Sequence, residues 1–174
     1  EQNVTVRFAY FDQDLVQRVI DFTELSDDKK TKETVKAFSI TPLKLAAWSE
    51  KAVLQFDGSG NRNSTLISGS GLAVNKPQKI VEVEAESLDN ILDGGRVDYI
   101  KYDVEGSERE AISGSLKTIA ANLPALMVSI YHRSEDIFEL PLLIKEHFPQ
   151  YKLYVRRREY IPAWDTVLIA VRDR

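Results

Sequence analysis

An α/β layer fold around a mostly parallel sheet is the architecture this sequence predicts, and three observations predict it. Strand-like and helix-like segments alternate along the 174 residues. Two strand-like runs, 97–104 and 125–131, start about 28 residues apart with an amphipathic stretch between them, the form of a βαβ unit with parallel strands and a right-handed crossover. The second run is almost unbroken in apolar residues, as expected of a strand covered on both faces.

The elements follow in order. Residues 4–10 read as the first strand. Asp14 then opens a helical stretch in which Leu15, Val16, Val19, Ile20 and Phe22 recur at helical spacing, and Asp14 with Gln17 has the form of a capping box. Residues 26–33 are charged and lack apolar periodicity, so they read as a loop or an exposed helix end. Residues 40–48 read as a second strand, with Pro42 tolerated near its start. Residues 51–56 alternate like an antiparallel strand, 58–75 form a long loop rich in Gly, Ser and Asn, and 80–85 make a further strand. This β-rich stretch, 50–85, reads as an insertion within a single domain spanning 1–174. Ser87 caps a short helix over 88–92 that Gly94 and Gly95 close. After the strand at 97–104, Ser107 and Glu110 have the spacing of a second capping box. Ile112, Leu116, Ile119 and Leu123 then make one helical stripe, which Pro124 ends. Ser134 starts another helical segment through Phe148, which Pro141 should divide or kink. Residues 151–156 and 166–171 read as two closing strands, the second antiparallel, joined by a loop carrying Pro162 and Trp164.

Composition excludes several function classes. Hydrophobic residues make up 43% and charged residues 29% of the chain, an ordinary globular balance. The net charge of −4 implies no broad basic face, which argues against nucleic-acid partners. The short run Arg156, Arg157 and Arg158 reads as a solvated strand end. With no cysteine there are no disulfides and no thiolate metal sites, and the expected compartment is cytoplasmic. No apolar run approaches the roughly 20 residues of a membrane span, so no membrane partner is expected. A Walker motif, a glycine-rich dinucleotide fingerprint, HExxH and a serine nucleophile elbow are all lacking from the sequence.

Open α/β sheets bind ligands beyond the carboxyl ends of their parallel strands. Four groups fall there: Phe11-Asp12-Gln13-Asp14, Ala46-Ala47-Trp48-Ser49-Glu50, Asp103-Val104-Glu105-Gly106 and Tyr131-His132-Arg133. Asp12 stands where an acid can accept hydrogen bonds from ribose hydroxyls, or serves only as a helix-start acid. Trp48 could stack on an adenine ring, or fill a core or hinge position. Asp103 and Glu105 lie on the same side if the strand stays extended. They could orient an amine or hydroxyl, act as a base, or hold a divalent cation with a third oxygen ligand that the sequence does not identify. The plainer reading of Glu105 is a cap for the following helix. His132, one of two histidines, could accept a proton near neutral pH, or be structural. His147, beside Lys145 and Glu146, reads as exposed.

The run from Val97 through Lys101, Asp103, Glu105, Gly106, Ser107 and Glu108 resembles the signature of FkbM-family methyltransferases, a strand ending in Lys-x-Asp-x-Glu-Gly followed by a small residue and Glu. Ser129-Ile130-Tyr131-His132 with Glu135-Asp136 resembles that family's next strand and helix start. Phe11-Asp12-Gln13-Asp14 resembles its Phe-Glu-Pro-Asp, with Asp for Glu and Gln for Pro. Ala46 to Ser49 and Leu88-Asp89 also sit where the family has similar residues. The resemblance implies a Rossmann-like class I methyltransferase fold with S-adenosylmethionine as methyl donor. Asp12 would hold the ribose, Ala47, Trp48 and Ser49 would lie near the adenine, and Asp103 and Glu105 would flank the methionine end and the acceptor. His132 is the candidate base. The implied reaction is O-methylation of a sugar or secondary-metabolite hydroxyl, with a small-molecule or glycan acceptor and no metal.

In this family a first strand and a glycine-containing turn precede the Phe-Glu-Pro segment, whereas only ten residues precede Phe11 here. An N-terminally truncated domain is therefore expected, lacking that strand and turn. It would expose a sheet edge that favours homo-oligomers. The competing expectation is a non-catalytic binding or interaction domain of the same fold.

Overall fold

A computed structural model describes residues 4–9, 38–57, 80–157 and 166–172. The helix expected over 14–22, its capping pair Asp14 and Gln17, the loop over 58–75, Pro162 and Trp164 lie outside the described residues. The chain divides into two compact units, Glu1–Ala46 and Ala47–Arg174.

In the first unit, β1 (Val4–Ala9) and β2 (Phe38–Leu43) pair in parallel, in register from Val4 opposite Phe38 to Ala9 opposite Leu43. A parallel pair needs a crossover rather than a hairpin, as the sequence spacing implied. The second strand ends at Leu43 rather than at Trp48. The chain re-enters strand geometry only briefly, at β3 (Ala46–Ala47).

The second unit begins with β4 (Ala52–Asp57) and β5 (Ile80–Glu86), paired antiparallel. Along β5, Val83 and Ala85 are buried while Glu82 and Glu84 are exposed, the alternation of a sheet with one covered face. The Trp48 N–H bonds to the Glu86 carbonyl at 3.0 Å. Helix α1 (Leu88–Leu92) starts as expected, with Ser87 Oγ accepting the Asn90 N–H.

A four-stranded sheet carries the rest: β6 (Tyr99–Tyr102), β7 (Ala125–Ser129), β8 (Lys152–Arg156) and β9 (Val167–Val171), in the order β6-β7-β9-β8. β6 and β7 are parallel, and β9 runs antiparallel to both its neighbours. This is the expected βαβ unit followed by an antiparallel closing strand. Leu126 and Val128 of β7 are fully buried and Ala125 and Met127 half-buried, so both faces of this strand are covered to some degree. Ile100, Tyr102, Leu168 and Ala170 join them in the core against Ile112, Ile119, Leu140 and Ile144 of the helices.

The single helical stripe expected after β6 is two helices, α2 (Glu108–Ser113) and α3 (Leu116–Asn122). Two contacts explain the break. Gly114 lies so close to the Trp48–Ser49 backbone that the helix cannot carry a side chain there. Ser115 Oγ lies 2.7 and 2.9 Å from the Ala111 and Ile112 carbonyls and 2.5 Å from the Tyr102 hydroxyl. A serine that bonds back onto the preceding turn bends a helix. The new helix start gains its own acceptor from a distance. The Asp89 carboxylate, on α1, accepts the N–H groups of Lys117 and Thr118 at 3.1 and 2.7 Å, a cap worth about 1 kcal/mol.

Helix α4 (Asp136–His147) runs through Pro141 without dividing, so of the two expected effects of the proline, division does not occur. Lys145 Nζ closes its far end on the Pro149 and Tyr151 carbonyls, both at 2.7 Å. His147 is exposed, as expected. Among the described residues no helix is long and apolar enough to cross a membrane.

Candidate active site

The carboxyl ends of β6 and β7 are adjacent because these strands are parallel neighbours. Each leads into a loop and then a helix, so two loops rise side by side. The first is tightly turned. The Ser107 N–H bonds back to the Val104 carbonyl, and Glu105 and Gly106 both adopt positive φ, 53° and 92°. Such a conformation is uncommon for glutamate, and it means that Asp103 and Glu105 are not two residues of one extended strand. At Gly106 a side chain would also meet Arg133 Nε at 3.3 Å, so the second loop packs directly on the first.

The side chains converge on His132. Its Nδ1 lies 2.7 Å from Glu108 Oε1, and its Nε2 lies 3.8 Å from Asp103 Oδ1 and 3.6 Å from Glu105 Oε2. Glu108 has no exposed side-chain surface, and only 9% of the His132 side chain is exposed. A carboxylate can only accept, so Nδ1 must carry the proton shared with Glu108. The neutral ring therefore presents its lone pair at Nε2, towards Asp103 and Glu105. Glu108 Oε1 also accepts the Val104 N–H at 2.9 Å, which ties the β6 loop to the histidine. The capping box expected from Ser107 and Glu110 does not form. Ser107 makes no side-chain cap bond, and the residue beside it, Glu108, takes the loop amide instead.

Asp103 is held from three directions. Lys101 Nζ binds Oδ2 at 2.7 Å, Ser129 Oγ donates to Oδ1 at 2.8 Å, and the Tyr131 hydroxyl donates to Oδ1 at 3.4 Å. Burial works to raise the Asp103 carboxyl. The Lys101 and Ser129 bonds and the positive charges nearby outweigh it and hold the group below the usual carboxylate range. Burial and the charges of Asp103 and Glu108 raise Glu105, against the opposing influence of His132. For His132, burial favours the neutral ring, but the Glu108 bond and the charges of Glu108, Glu105 and Asp103 together leave its pKa above the ordinary value. The Tyr131 ring packs on His132 with centroids 4.2 Å apart.

Asp136, at the start of α4, is buried and accepts the Arg133 N–H at 3.2 Å. Burial and the Glu108 charge push it from 3.8 up to about 6. A carboxyl raised on folding contributes stability below its unfolded pKa that is lost as pH rises through its folded pKa. The melting temperature of the chain relative to Asp136→Asn is therefore expected to fall between about pH 4 and pH 6. A difference that stays flat across that interval would contradict the assignment.

Of the residues singled out in the sequence, Asp103, Glu105 and His132 come together. Ala47 packs against the core, and the backbone of half-buried Trp48 and exposed Ser49 runs against Gly114, beyond the last residue of α2. Glu108 opens the same helix, which at 1.5 Å per residue places the two about 9 Å apart along its axis. Asp12 lies outside the described residues. Glu108 was missed as a site residue. It stands in the stretch that resembles the family signature, but an acid in the first turn of a helix ordinarily reads as a dipole partner. Ser129 was likewise hidden at the end of an apolar strand.

Among curated proteins none matches this chain. Among solved structures it is similar to that of a methyltransferase FkbM from Methylobacillus flagellatus KT, with a TM-score of 0.67 and 23% identity over 97% of this chain. The chain spans 36% of that protein's length. The likeness establishes the Rossmann-like class I methyltransferase fold anticipated from the strand-end motifs. The sequence model of the methyltransferase FkbM domain matches residues 7–162, a range that spans most of both units and includes every residue of the His132 cluster. The chain belongs to the FkbM methyltransferase domain family.

Proposed function

We propose that this domain transfers a methyl group from S-adenosylmethionine to a hydroxyl of a sugar or secondary metabolite, with His132 as the proton acceptor. The observation that carries the reading is the relay from buried Glu108 through His132 to an Nε2 lone pair beside Asp103 and Glu105. When bound, S-adenosylmethionine supplies an electrophilic methyl on a sulfonium centre. Asp103, kept ionised by Lys101 and Ser129, suits the cationic methionine end of that cofactor, and a carboxylate pair beside the reacting centre favours positive charge there. Asp12 is assigned to the ribose, and Ala47, Trp48 and Ser49 to the adenine.

With that cofactor held beside Asp103, His132 Nε2 would take the proton of the acceptor hydroxyl that receives the methyl. The resulting imidazolium is stabilised by Glu108 behind it and by Asp103 and Glu105 in front. Holding the hydroxyl against Nε2 would supply much of the rate.

Calorimetric titration of S-adenosylhomocysteine into the chain and into Asp12→Ala tests the cofactor assignment. Saturable binding, weakened at least tenfold in the variant, is expected. Silence from a folded sample would instead favour a non-catalytic binding domain.

A further inference from the structure

We infer that Asp103, Glu105 and His132 also form a site for a divalent cation of the zinc class, and that a cation held there excludes His132 from proton transfer. The binding stands on geometry alone, and the exclusion rests on the role proposed above for His132.

The first observation is a conflict between neighbours. Nε2 is buried and has no hydrogen-bond partner among the described residues, although it faces two carboxylate oxygens. A neutral lone pair opposite two anionic oxygens is unfavourable unless something positive lies between them. A proton on Nε2 is one solution, and it is the state that the transfer step produces. A metal ion is the other.

Distances fit the second solution. Zinc binds imidazole nitrogen and carboxylate oxygen at about 2.0–2.2 Å, which in a tetrahedron places two donors about 3.4 Å apart. Nε2 stands 3.6 Å from Glu105 Oε2 and 3.8 Å from Asp103 Oδ1, within a few tenths of that spacing. Among the described residues the group with donor atoms all within 4.8 Å of one another is Asp103, Glu108 and His132, so Glu105 must swing towards Asp103 to complete the set. Glu105 is the most exposed of the set, at 58%, so its side chain has freedom to adjust.

The third observation lies behind the ring. Metal-ligating histidines donate their other N–H to a carboxylate or carbonyl, which fixes the tautomer and strengthens the ligand. Glu108 does this for Nδ1 at 2.7 Å. Asp103 is oriented in the same manner, by Ser129 on Oδ1 and Lys101 on Oδ2. Mixed nitrogen and oxygen donors suit zinc better than magnesium or calcium, which prefer oxygen alone. Two protein-derived anions directly on the ion, with a third one bond away, balance its double charge. A cation on Nε2 occupies the lone pair that would otherwise accept the acceptor's proton, so the two events compete for one atom.

The chain has no cysteine and only two histidines, which keeps the background low. The experiment is calorimetric titration of zinc chloride at pH 7 into chelator-treated, tag-free chain, beside His132→Gln, Asp103→Asn and His147→Gln, each checked for folding by circular dichroism. One saturable site is expected, weakened at least tenfold by His132→Gln and by Asp103→Asn and unchanged by His147→Gln. On the intact chain, nitrogen NMR of the His132 ring should show the Nε2 signal moving on zinc addition while Nδ1 stays protonated. Absence of saturable binding by the folded chain, or loss of binding in His147→Gln but not in His132→Gln, would overturn the site. A zinc-induced shift at Nδ1 with Nε2 unmoved would overturn the exclusion. The S-adenosylhomocysteine titration is independent of these results, so silence towards zinc beside normal cofactor binding removes this inference and leaves the methyl-transfer reading intact.

Discussion

Replacing Gly114 with alanine is expected to destabilise the chain by more than about 4 kcal/mol, or to prevent folding of the second unit. The backbone at this position, φ −78° and ψ 5°, is one that any residue adopts, so the requirement is not conformational. It is spatial. An alanine methyl would lie 2.0 Å from the Trp48 carbonyl oxygen and 3.0 Å from Ser49 Cα. Both are backbone atoms. Trp48 is fixed by its N–H bond to Glu86, and Gly114 by its N–H bond to Glu110 and by its carbonyl, which accepts the Asp89 N–H at 2.9 Å. Neither side can yield without breaking one of these bonds. Thermal unfolding followed by tryptophan fluorescence checks this, with Ser113→Ala, at an exposed neighbour, expected to fall within roughly 0.5 kcal/mol of the parent. A melting temperature for Gly114→Ala equal to that of Ser113→Ala would show that the close approach is not real. If a folded fraction survives and the adenine assignment proposed for Trp48 holds, its affinity for S-adenosylhomocysteine should fall as well.

Glu108→Ala carries the second large effect, and it separates structural from chemical consequences. Removing the carboxylate leaves the Val104 N–H and the His132 Nδ1–H without their acceptor in a dry site. Each unsatisfied donor costs about 1–3 kcal/mol, so a fall in melting temperature of roughly 5–15 °C is expected. Glu108→Gln keeps an oxygen able to accept both bonds and should retain more than half of that stability. The substitution removes the negative charge, however, and this charge is one of the factors that raise His132. The His132 titration measured by NMR should therefore move to lower pH in Glu108→Gln, even though the fold is preserved. Once an acceptor hydroxyl is in hand, both variants should lose roughly 10–100-fold in methyl transfer, the usual consequence of removing the group that orients a functional histidine. A Glu108→Gln variant with an unmoved His132 titration would mean that the Nδ1 bond does not govern the ring.

Much of this molecule was legible in its sequence because the signals are local. The βαβ unit could be read from an apolar run of the kind a doubly covered strand carries, and the closing strands from two strand-length runs separated by Pro162 and Trp164. Ser87 announced α1 because an N-cap serine acts within three residues. Asp103, Glu105 and His132 were legible as candidates because polar groups directly after parallel strands fall on one edge whatever else the fold does. That reasoning placed three residues together without any knowledge of their distances.

Where the reading failed, the cause lay in contacts between residues far apart in the chain. Ile112, Leu116, Ile119 and Leu123 keep helical spacing, yet the helix breaks because Gly114 meets the Trp48 backbone and Ser115 meets Tyr102. Ser107 and Glu110 have the spacing of a capping box, yet Glu108 takes the loop amide because its other partner, His132, arrives from the neighbouring strand. The sequence by itself determined most of the elements and which of their ends carry acids and the histidine, because periodicity, caps and apolar runs act over a few residues. Only the tertiary structure decided that Glu108 stands behind His132, that Asp89 caps a helix 28 residues away, and that Gly114 must lack a side chain. Each of these depends on the packing of segments whose separation in sequence carries no information about their distance in space.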